Sequence, residues 1–106
     1  MSISMQIQMI LLQKNMKQSD LAQKLNMTQQ NISLKLKKDN YKLSELIKIA
    51  NILDSTVTIT AIDNNSNISK DITSSFIDKN YRTSEIQYIA MILGFKISIN
   101  LEPIIK

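Results

Sequence analysis

The stretch Gln18–Leu36, which reads QSDLAQKLNMTQQNISLKL, decides how the rest of the chain is arranged. Each half of it repeats apolar residues at helical spacing, so each half predicts a short helix with one buried side. Asn26, between the halves, belongs to a residue type that adopts a left-handed backbone more readily than most. Thr28 follows and is a good N-cap for the second helix. The residues expected to face inward are Leu21, Ala22, Leu25, Ile32 and Leu36.

The small side chain of Ala22 permits two helices to cross closely at that position. Two short helices that cross in this way are typical of a helix-turn-helix, whose second helix enters the major groove of DNA. The stretch resembles the helix-turn-helix of the Cro/repressor family, also called XRE-like, and the resemblance covers roughly residues 5 to 62. The matching residues are Gln18, Leu21, Ala22, Asn26, Thr28, Gln29, Gln30, Ile32, Ser33 and the downstream run 46–53.

Three features depart from the pattern of that family. Lys17 stands where the family has a Ser or Thr cap, and the loop Lys38–Asn40 lacks the usual Gly. Lys35 and Leu36 follow a rarer pattern at the end of the second helix. These departures bear on base preference more than on the fold.

Length and composition exclude several classes of protein. A chain of 106 residues predicts one domain, or one small domain with an appendage. The absence of cysteine and histidine removes disulfides, thiolate nucleophiles and the usual zinc ligands. Without a Gly-rich loop or a close carboxylate pair, we expect no enzyme, no cofactor and no metal. No apolar run approaches the ~20 residues of a membrane span, and the first residues lack the positive charge of a signal peptide. We therefore expect a cytoplasmic, nucleoid-associated protein.

The positive charge is concentrated on the helix-turn-helix. From Lys14 to Lys48 the chain carries eight lysines against three acidic residues, whereas Ile49 to Lys106 carries five basic and six acidic residues. Such a surplus is what phosphate binding requires. A solvated lysine-rich surface would look the same, and the coincidence with the motif favours DNA.

The flanking segments predict two more helices and a strand. Met5, Met9, Leu12 and Met16 recur at helical spacing and predict a helix over about Ser4–Asn15 that buries this face. A second helix is expected over about Leu43–Leu53, with Leu43, Leu46, Ile47, Ala50 and Leu53 facing inward. Residues 56–62 then alternate between threonine and apolar side chains, which predicts a strand with one buried face.

The second half of the chain repeats part of the first at one constant shift. Asn40-Tyr41-Lys42-Leu43-Ser44-Glu45 falls on Asn80-Tyr81-Arg82-Thr83-Ser84-Glu85, and the helix and strand that follow also align without a gap. Chance similarity between two amphipathic helices explains part of this match, but the shared entry and strand favour partial duplication. The repeat predicts helices over about Lys70–Ile77 and Ser84–Leu93 and a strand over about Phe95–Leu101, with Gly94 at a helix C-terminus.

These elements predict a mainly α fold with short β-strands: a lambda-repressor-like helix-turn-helix followed by a strand, then a partial repeat. We expect a DNA-binding domain at residues 1–62, a linker at 63–69 and a dimerisation segment at 70–106. The strands are expected to form a small antiparallel sheet at a dimer interface. The residues predicted for that interface are Val57, Ile59, Ala61, Ile97, Ile99 and Leu101.

The resemblance, together with side-chain chemistry, assigns the DNA contacts. Glutamine pairs bidentately with adenine, and apolar groups contact the thymine methyl. The base-reading candidates are Thr28, Gln29, Gln30, Ser33 and Leu34. The phosphate candidates are Gln18, Asn31, Lys35, Lys37, Lys38 and Asn40, with Tyr41 and Lys42 as weaker ones. For each of these residues, the alternative is a plain solvent-exposed surface.

The resulting hypothesis is a bacterial or phage-type transcriptional regulator, a Cro-like repressor that binds double-stranded DNA at a palindromic operator as a homodimer. The alternative is a protein-binding module on the same scaffold, such as an antitoxin or a phage-encoded inhibitor. Strong salt dependence of binding to DNA would favour the first hypothesis.

Overall fold

The computed structural model describes residues 2–104 and contains six helices and three strands within that range. The helices are α1 (Ile3–Gln13), α2 (Gln18–Lys24), α3 (Gln29–Lys38), α4 (Leu43–Ile52), α5 (Thr73–Phe76) and α6 (Thr83–Ile92). The strands are β1 (Ser55–Asp63), β2 (Ser69–Asp71) and β3 (Phe95–Pro103). The predicted combination of helices with a small antiparallel sheet is therefore confirmed.

Helix α1 buries a different face from the one predicted. It begins after Ser2, whose Oγ accepts a hydrogen bond from the Met5 N–H at 3.0 Å. The buried side chains are Ile3, Ser4, Ile7, Ile10 and Leu11, whereas Met5, Met9 and Leu12 are exposed. Met16, the fourth residue of the predicted face, lies beyond the end of α1 and is half-buried against the core. The prediction was wrong because this helix carries two apolar stripes at helical spacing. The core takes the stripe of stiff isoleucines and leaves the flexible methionines in water.

Helix α4 lies at the centre of the core and is close to its predicted extent. Its buried side chains include Leu43, Leu46 and Ala50, as expected. Ile49 is also buried, although it was not assigned to the inward face, and Ile47 is only half-buried. The inward stripe is thus rotated slightly toward Ile49.

The sheet has the strand order β2-β1-β3, and both pairings are antiparallel. Strand β1 pairs with β3 along its whole length, from Ser55 opposite Pro103 to Asp63 opposite Phe95. Residues 69–71 pair with the other edge of β1. All of the connection between β1 and β2, residues 64–68, is exposed, as expected for a turn.

The predicted helix Lys70–Ile77 is wrong, because the segment divides into β2 and the short α5. The Asp71 carboxylate accepts hydrogen bonds from both the N–H and the hydroxyl of Thr73. Thr73 Oγ1 in turn accepts from the Ile59 N–H at 2.8 Å. Side chains that bond to nearby backbone in this way compete with a helix. The segment therefore docks on β1 before one helical turn forms.

Two segments of the chain are related by an approximate two-fold axis. Helices α4 and α6 have identical lengths, as do strands β1 and β3, and the shift along the sequence that takes Asn40 to Asn80 takes α4 to α6 and β1 to β3. In the antiparallel pairings, Ile59 faces Ile99 and Lys42 faces Arg82, and the same shift relates the two members of each pair. A two-fold axis therefore passes between these equivalent residues. That the segments descend from a duplication stays a prediction.

Reciprocal hydrogen bonds hold the two helix N-termini together across this axis. The Leu43 N–H donates to the Tyr81 carbonyl at 2.9 Å, and the Thr83 N–H donates to the Tyr41 carbonyl at 2.8 Å. The side-chain oxygens of two equivalent asparagines add a second pair. Asn80 Oδ1 accepts from the Ser44 N–H at 3.0 Å, and Asn40 Oδ1 accepts from the Ser84 N–H at 3.3 Å. Each segment thus caps the helix of the other.

Both segments contribute to one hydrophobic core. Ile86, Ile99 and Leu101 pack in the same cluster as the buried residues of α1 to α4. The predicted division at residues 63–69 remains a prediction about independent folding, which a truncated chain would test.

The side chains predicted for a dimer interface lie largely inside this core. Val57, Ile59, Ile99 and Leu101 are buried within the single chain, and Ala61 and Ile97 are half-buried. Their contact with a second chain stays a prediction.

Candidate nucleic-acid interface

The turn between α2 and α3 has the geometry expected from its residues. Asn26 adopts a left-handed φ of 60°. Thr28 Oγ1 accepts a hydrogen bond from the Asn31 N–H at 3.2 Å, which caps α3. Two of the three departures from the family pattern, at Lys17 and in the loop Lys38–Asn40, are accommodated by local structure. The Asp20 carboxylate accepts from the Lys17 N–H at 2.8 Å, and Asp39 takes the left-handed φ of 52° that a glycine would otherwise supply.

Helices α2 and α3 are held together by a small apolar contact and one polar bridge. Leu21, Ala22, Ile32 and Leu36 are all buried between or beneath them. On the outside, the Ser33 hydroxyl donates to Gln18 Oε1 at 3.2 Å. This bond joins the start of α2 to the middle of α3, so a base-reading candidate and a phosphate candidate are positioned together.

The exposed side of α3 brings most of the base-reading candidates together. Gln29, Gln30, Ser33 and Leu34 line one shallow, open depression, and all four are exposed. Leu34 is 52% exposed, which is unusual for a leucine on a helix with an otherwise polar outer face. Thr28 lies at the amino end of the same helix. The arrangement offers amide groups for base edges and an apolar group for a thymine methyl.

The predicted phosphate-binding lysines have different surroundings. Lys37 and Lys38 are exposed in the last turn of α3. Lys35 is half-buried and forms an ion pair with Glu45. Partial burial acts to raise the pKa of Glu45, but the hydrogen bond from Lys35 and one from the Lys42 N–H outweigh it and hold that pKa below its usual value. Lys35 is therefore already paired within the chain, whereas Lys37 and Lys38 point their charge at solvent.

The remaining phosphate candidates also divide into exposed side chains and side chains engaged within the chain. Asn31 is exposed on α3, and Gln18 is half-buried at the start of α2. Asn40 uses its side-chain oxygen to cap α6. Tyr41 is only 1% exposed, so its assignment to phosphate was wrong. Its hydroxyl lies 2.6 Å from Ser4 Oγ, and burial, with the Asp39 and Glu45 carboxylates nearby, raises its pKa to about 12.

The structure adds two residues that the sequence reasoning did not name. Ser19 and Gln23 line a second open depression, together with Asn26, Thr28 and Gln29. Because Gln29 belongs to both depressions, they form one continuous exposed surface across the turn. The signal was available, since Ser19 and Gln23 are four residues apart on the polar side of α2.

The family model for the Cro/C1-type helix-turn-helix DNA-binding domain matches residues 6–58, half of the 106-residue chain. The chain belongs to this family. The match runs from α1 into β1 and contains both helices of the candidate interface, so the resemblance seen in the sequence is confirmed. The elements β2, α5, α6 and β3 lie outside the matched residues.

Searches of curated proteins and of solved structures found no match to the chain. Among residues 2–104, no helix has both the length and the hydropathy that crossing a membrane requires.

Proposed function

We propose that this protein is a Cro-like repressor that binds a palindromic operator in double-stranded DNA as a homodimer, in the cytoplasm of a bacterium or in a cell infected by a phage. The observation that carries the proposal is the exposed face of α3, where Gln29, Gln30, Ser33 and Leu34 lie together within a Cro/C1-type domain. One recognition helix covers only a few base pairs, so a second copy is needed for a specific site.

The roles follow from the surroundings of each side chain. Gln29 and Gln30 read base edges, and Leu34 contacts a thymine methyl. Lys37 and Lys38 neutralise phosphates beyond the carboxyl end of α3, and such contacts position the protein without reading sequence. Lys35 instead supports α3 through its ion pair with Glu45.

A selection of genomic DNA fragments with the purified protein would supply the operator and test the proposal directly. We expect a small set of related fragments that share an inverted repeat. A protein that enriches no fragment above background at physiological salt would contradict the proposal.

With a selected site in hand, Gln30→Ala should lower the affinity for that site by about 1–3 kcal/mol and relax the preference at one or two base pairs. Gln13→Ala is the matched control, because Gln13 is an exposed glutamine on α1. Titration of sites with single base changes measures both effects. If the Gln30 variant keeps the selectivity of the wild type, Gln30 does not read bases.

Lys38→Ala should weaken binding to all DNA about equally and reduce the slope of log affinity against log salt by about one. Lys79→Ala removes the same charge from an exposed position in the second half and should leave the slope unchanged. Affinities measured between low and moderate salt give both slopes. Equal slopes for wild type and Lys38→Ala would place this lysine away from the phosphates.

A further inference from the structure

The outer side of α6 and the start of β3 expose a run of large apolar side chains. We call this surface the α6 face, and its residues are Tyr88, Ile89, Met91, Ile92, Leu93 and Phe95. At roughly 200 Å² for each large side chain, their exposed parts amount to about 700 Å², above the roughly 300–600 Å² of the largest patch on a typical monomer. Such a surface marks an interaction site.

The equivalent side of α4 shows how this kind of face is normally used. Ile49 and Leu53 are 3% and 1% exposed in the core that α1 to α3 close. Their equivalents in the second segment, Ile89 and Leu93, are 37% and 67% exposed. The described part of the second half has only α5 before α6, and no helices in the places of α1 and α2. The same side of the helix is therefore buried in the first segment and exposed to solvent in the second.

The residue types at the solvent-exposed positions of α4 strengthen this contrast. Lys48 and Asn51 are exposed on α4, and both are polar. Their equivalents on α6 are Tyr88 and Met91, which are 61% and 65% exposed. A helix side adapted to water keeps polar residues at such positions. The substitutions on α6 therefore favour a face that a partner covers.

We propose that the α6 face binds the α6 face of a second copy of this chain, across a two-fold axis. The exposed area of about 700 Å² is close to the ~800 Å² that each partner buries in a standard interface. No charged residue occurs from Ile86 to Phe95, so packing the face against itself brings no like charges together. An isologous contact of this kind closes at two subunits.

The other route to a dimer, strand pairing at the free edge of β3, is obstructed within the chain. The Gln6 side chain donates to the Ile99 carbonyl at 2.9 Å and accepts from the Leu101 N–H at 2.8 Å. This amide takes the hydrogen bonds that a neighbouring strand would make at the middle of the edge. The exposed Met5, Met9 and Leu12 on α1 form another apolar surface. A single contact of that surface with the α6 face would join two different surfaces and would leave one copy of each uncovered at two chains.

The role of this dimer rests on the proposed function, because two copies of α3 are needed to read an inverted repeat. The contact itself does not depend on DNA. Its test is therefore made on the full chain without DNA, and its failure is distinct from a failure to bind DNA.

The test uses the residues that the chain itself has on α4. The double substitution Tyr88→Lys and Met91→Asn gives α6 the residue types that α4 has at Lys48 and Asn51. Both substituted positions are exposed. Analytical ultracentrifugation should give twice the mass of one chain for the wild type. The double variant should dissociate at least 100-fold more readily and have the mass of one chain at micromolar concentration. Its circular dichroism spectrum should match that of the wild type.

Leu12→Asn is the control for the surface of α1, since Leu12 is 79% exposed. It should leave the dimer intact. A wild type that is monomeric at high micromolar concentration, a double variant that is as dimeric as the wild type, or dissociation by Leu12→Asn would each overturn the proposal. Ile92→Gln gives an independent reading, because it changes only the centre of the α6 face and should also produce monomers.

DNA titration of the same variants separates the two proposals. If the double variant is monomeric and binds the operator weakly but with the base preference of the wild type, both proposals hold. If the wild type is dimeric and the double variant is monomeric, yet the wild type binds no specific DNA, the α6 contact stands and the repressor proposal fails.

Discussion

The segments α4–β1 and α6–β3 have the same lengths and pair around one axis, yet only the first follows the two helices of the helix-turn-helix, α2 and α3. Where α3 precedes α4, the short β2 and α5 precede α6. The positions that meet across the axis are similar in both segments, as Ile59 and Ile99 illustrate. The positions that face outward differ, as Lys48 and Tyr88 illustrate. The second segment thus resembles the first where the two meet and has a different outer surface.

Removing the second segment should have the largest effect on stability. A chain that ends at Asn64 loses β3, which pairs with all of β1, and loses Ile86, Ile99 and Leu101 from the core. At about 1.5–3 kcal/mol for each buried aliphatic side chain, we expect the free energy of unfolding to fall by roughly 5 kcal/mol or more. Urea denaturation followed by circular dichroism measures it.

Val57 and Ile59 would also be exposed by this truncation, so aggregation is a further expected sign. If residues 1–64 unfold cooperatively with nearly the stability of the full chain, the first segment is an independent domain and β3 is only an addition to it.

A pair of equivalent substitutions gives a sharper comparison. Ile49→Ala should lower the free energy of unfolding by about 2–5 kcal/mol, because a buried side chain leaves a cavity. Ile89→Ala should cost less than about 1 kcal/mol in the monomer, because Ile89 is partly exposed there. Both are best measured by urea denaturation in the Tyr88→Lys, Met91→Asn background, so that dimerisation does not contribute.

Equal costs for the two alanine variants would mean that the chain itself covers Ile89, and the α6 face would then be unavailable to a second copy. In the dimeric background, Ile89→Ala should become more costly, since its side chain is then desolvated.

The elements with strong local signals were predictable from the sequence. Helices α2, α3, α4 and α6 and strands β1 and β3 follow from apolar periodicity, and their ends follow from local residues such as Thr28 and Gly94, which has a φ of 85°. The buried face of α1 was not predictable, because its two apolar stripes are equivalent until one of them meets a partner. The helix predicted over Lys70–Ile77 was wrong because side-chain hydrogen bonds at Asp71 and Thr73 replaced helical ones.

The candidate site shows the same division between local and tertiary information. The cap at Thr28 and the exposed glutamines of α3 depend on α3 alone, and they were expected. The pairing of Lys35 with Glu45 and the burial of Tyr41 depend on how α3 and α1 meet the next helix. No spacing within α3 reveals such contacts. Sequence reasoning therefore found the exposed residues of α3 but missed the contacts that Lys35 and Tyr41 make within the chain.

The smallest expected effect concerns two tyrosines at equivalent positions of the two segments. Tyr41 is buried with its hydroxyl bonded to Ser4, whereas Tyr81 is half-buried and makes an edge-to-face contact with Phe76 at 6.0 Å between ring centres. At neutral pH, Tyr41→Phe should cost about 1 kcal/mol, because it leaves the Ser4 hydroxyl without this partner. Tyr81→Phe keeps the ring contact and should cost less than about 0.5 kcal/mol.

Alkaline pH makes this last comparison selective for Tyr41. Burial first, and then the neighbouring carboxylates, raise the pKa of Tyr41 to about 12 in the folded protein, above the value of 10 expected when it is unfolded. Ionisation therefore favours the unfolded chain, so stability from this group is complete below pH 10 and is lost as the pH rises through 12. Between these values the wild type should lose about 1–3 kcal/mol more than Tyr41→Phe does. Urea denaturation at several pH values measures the difference, and parallel pH profiles for the two proteins would show that the Tyr41 hydroxyl ionises as freely in the fold as in the open chain.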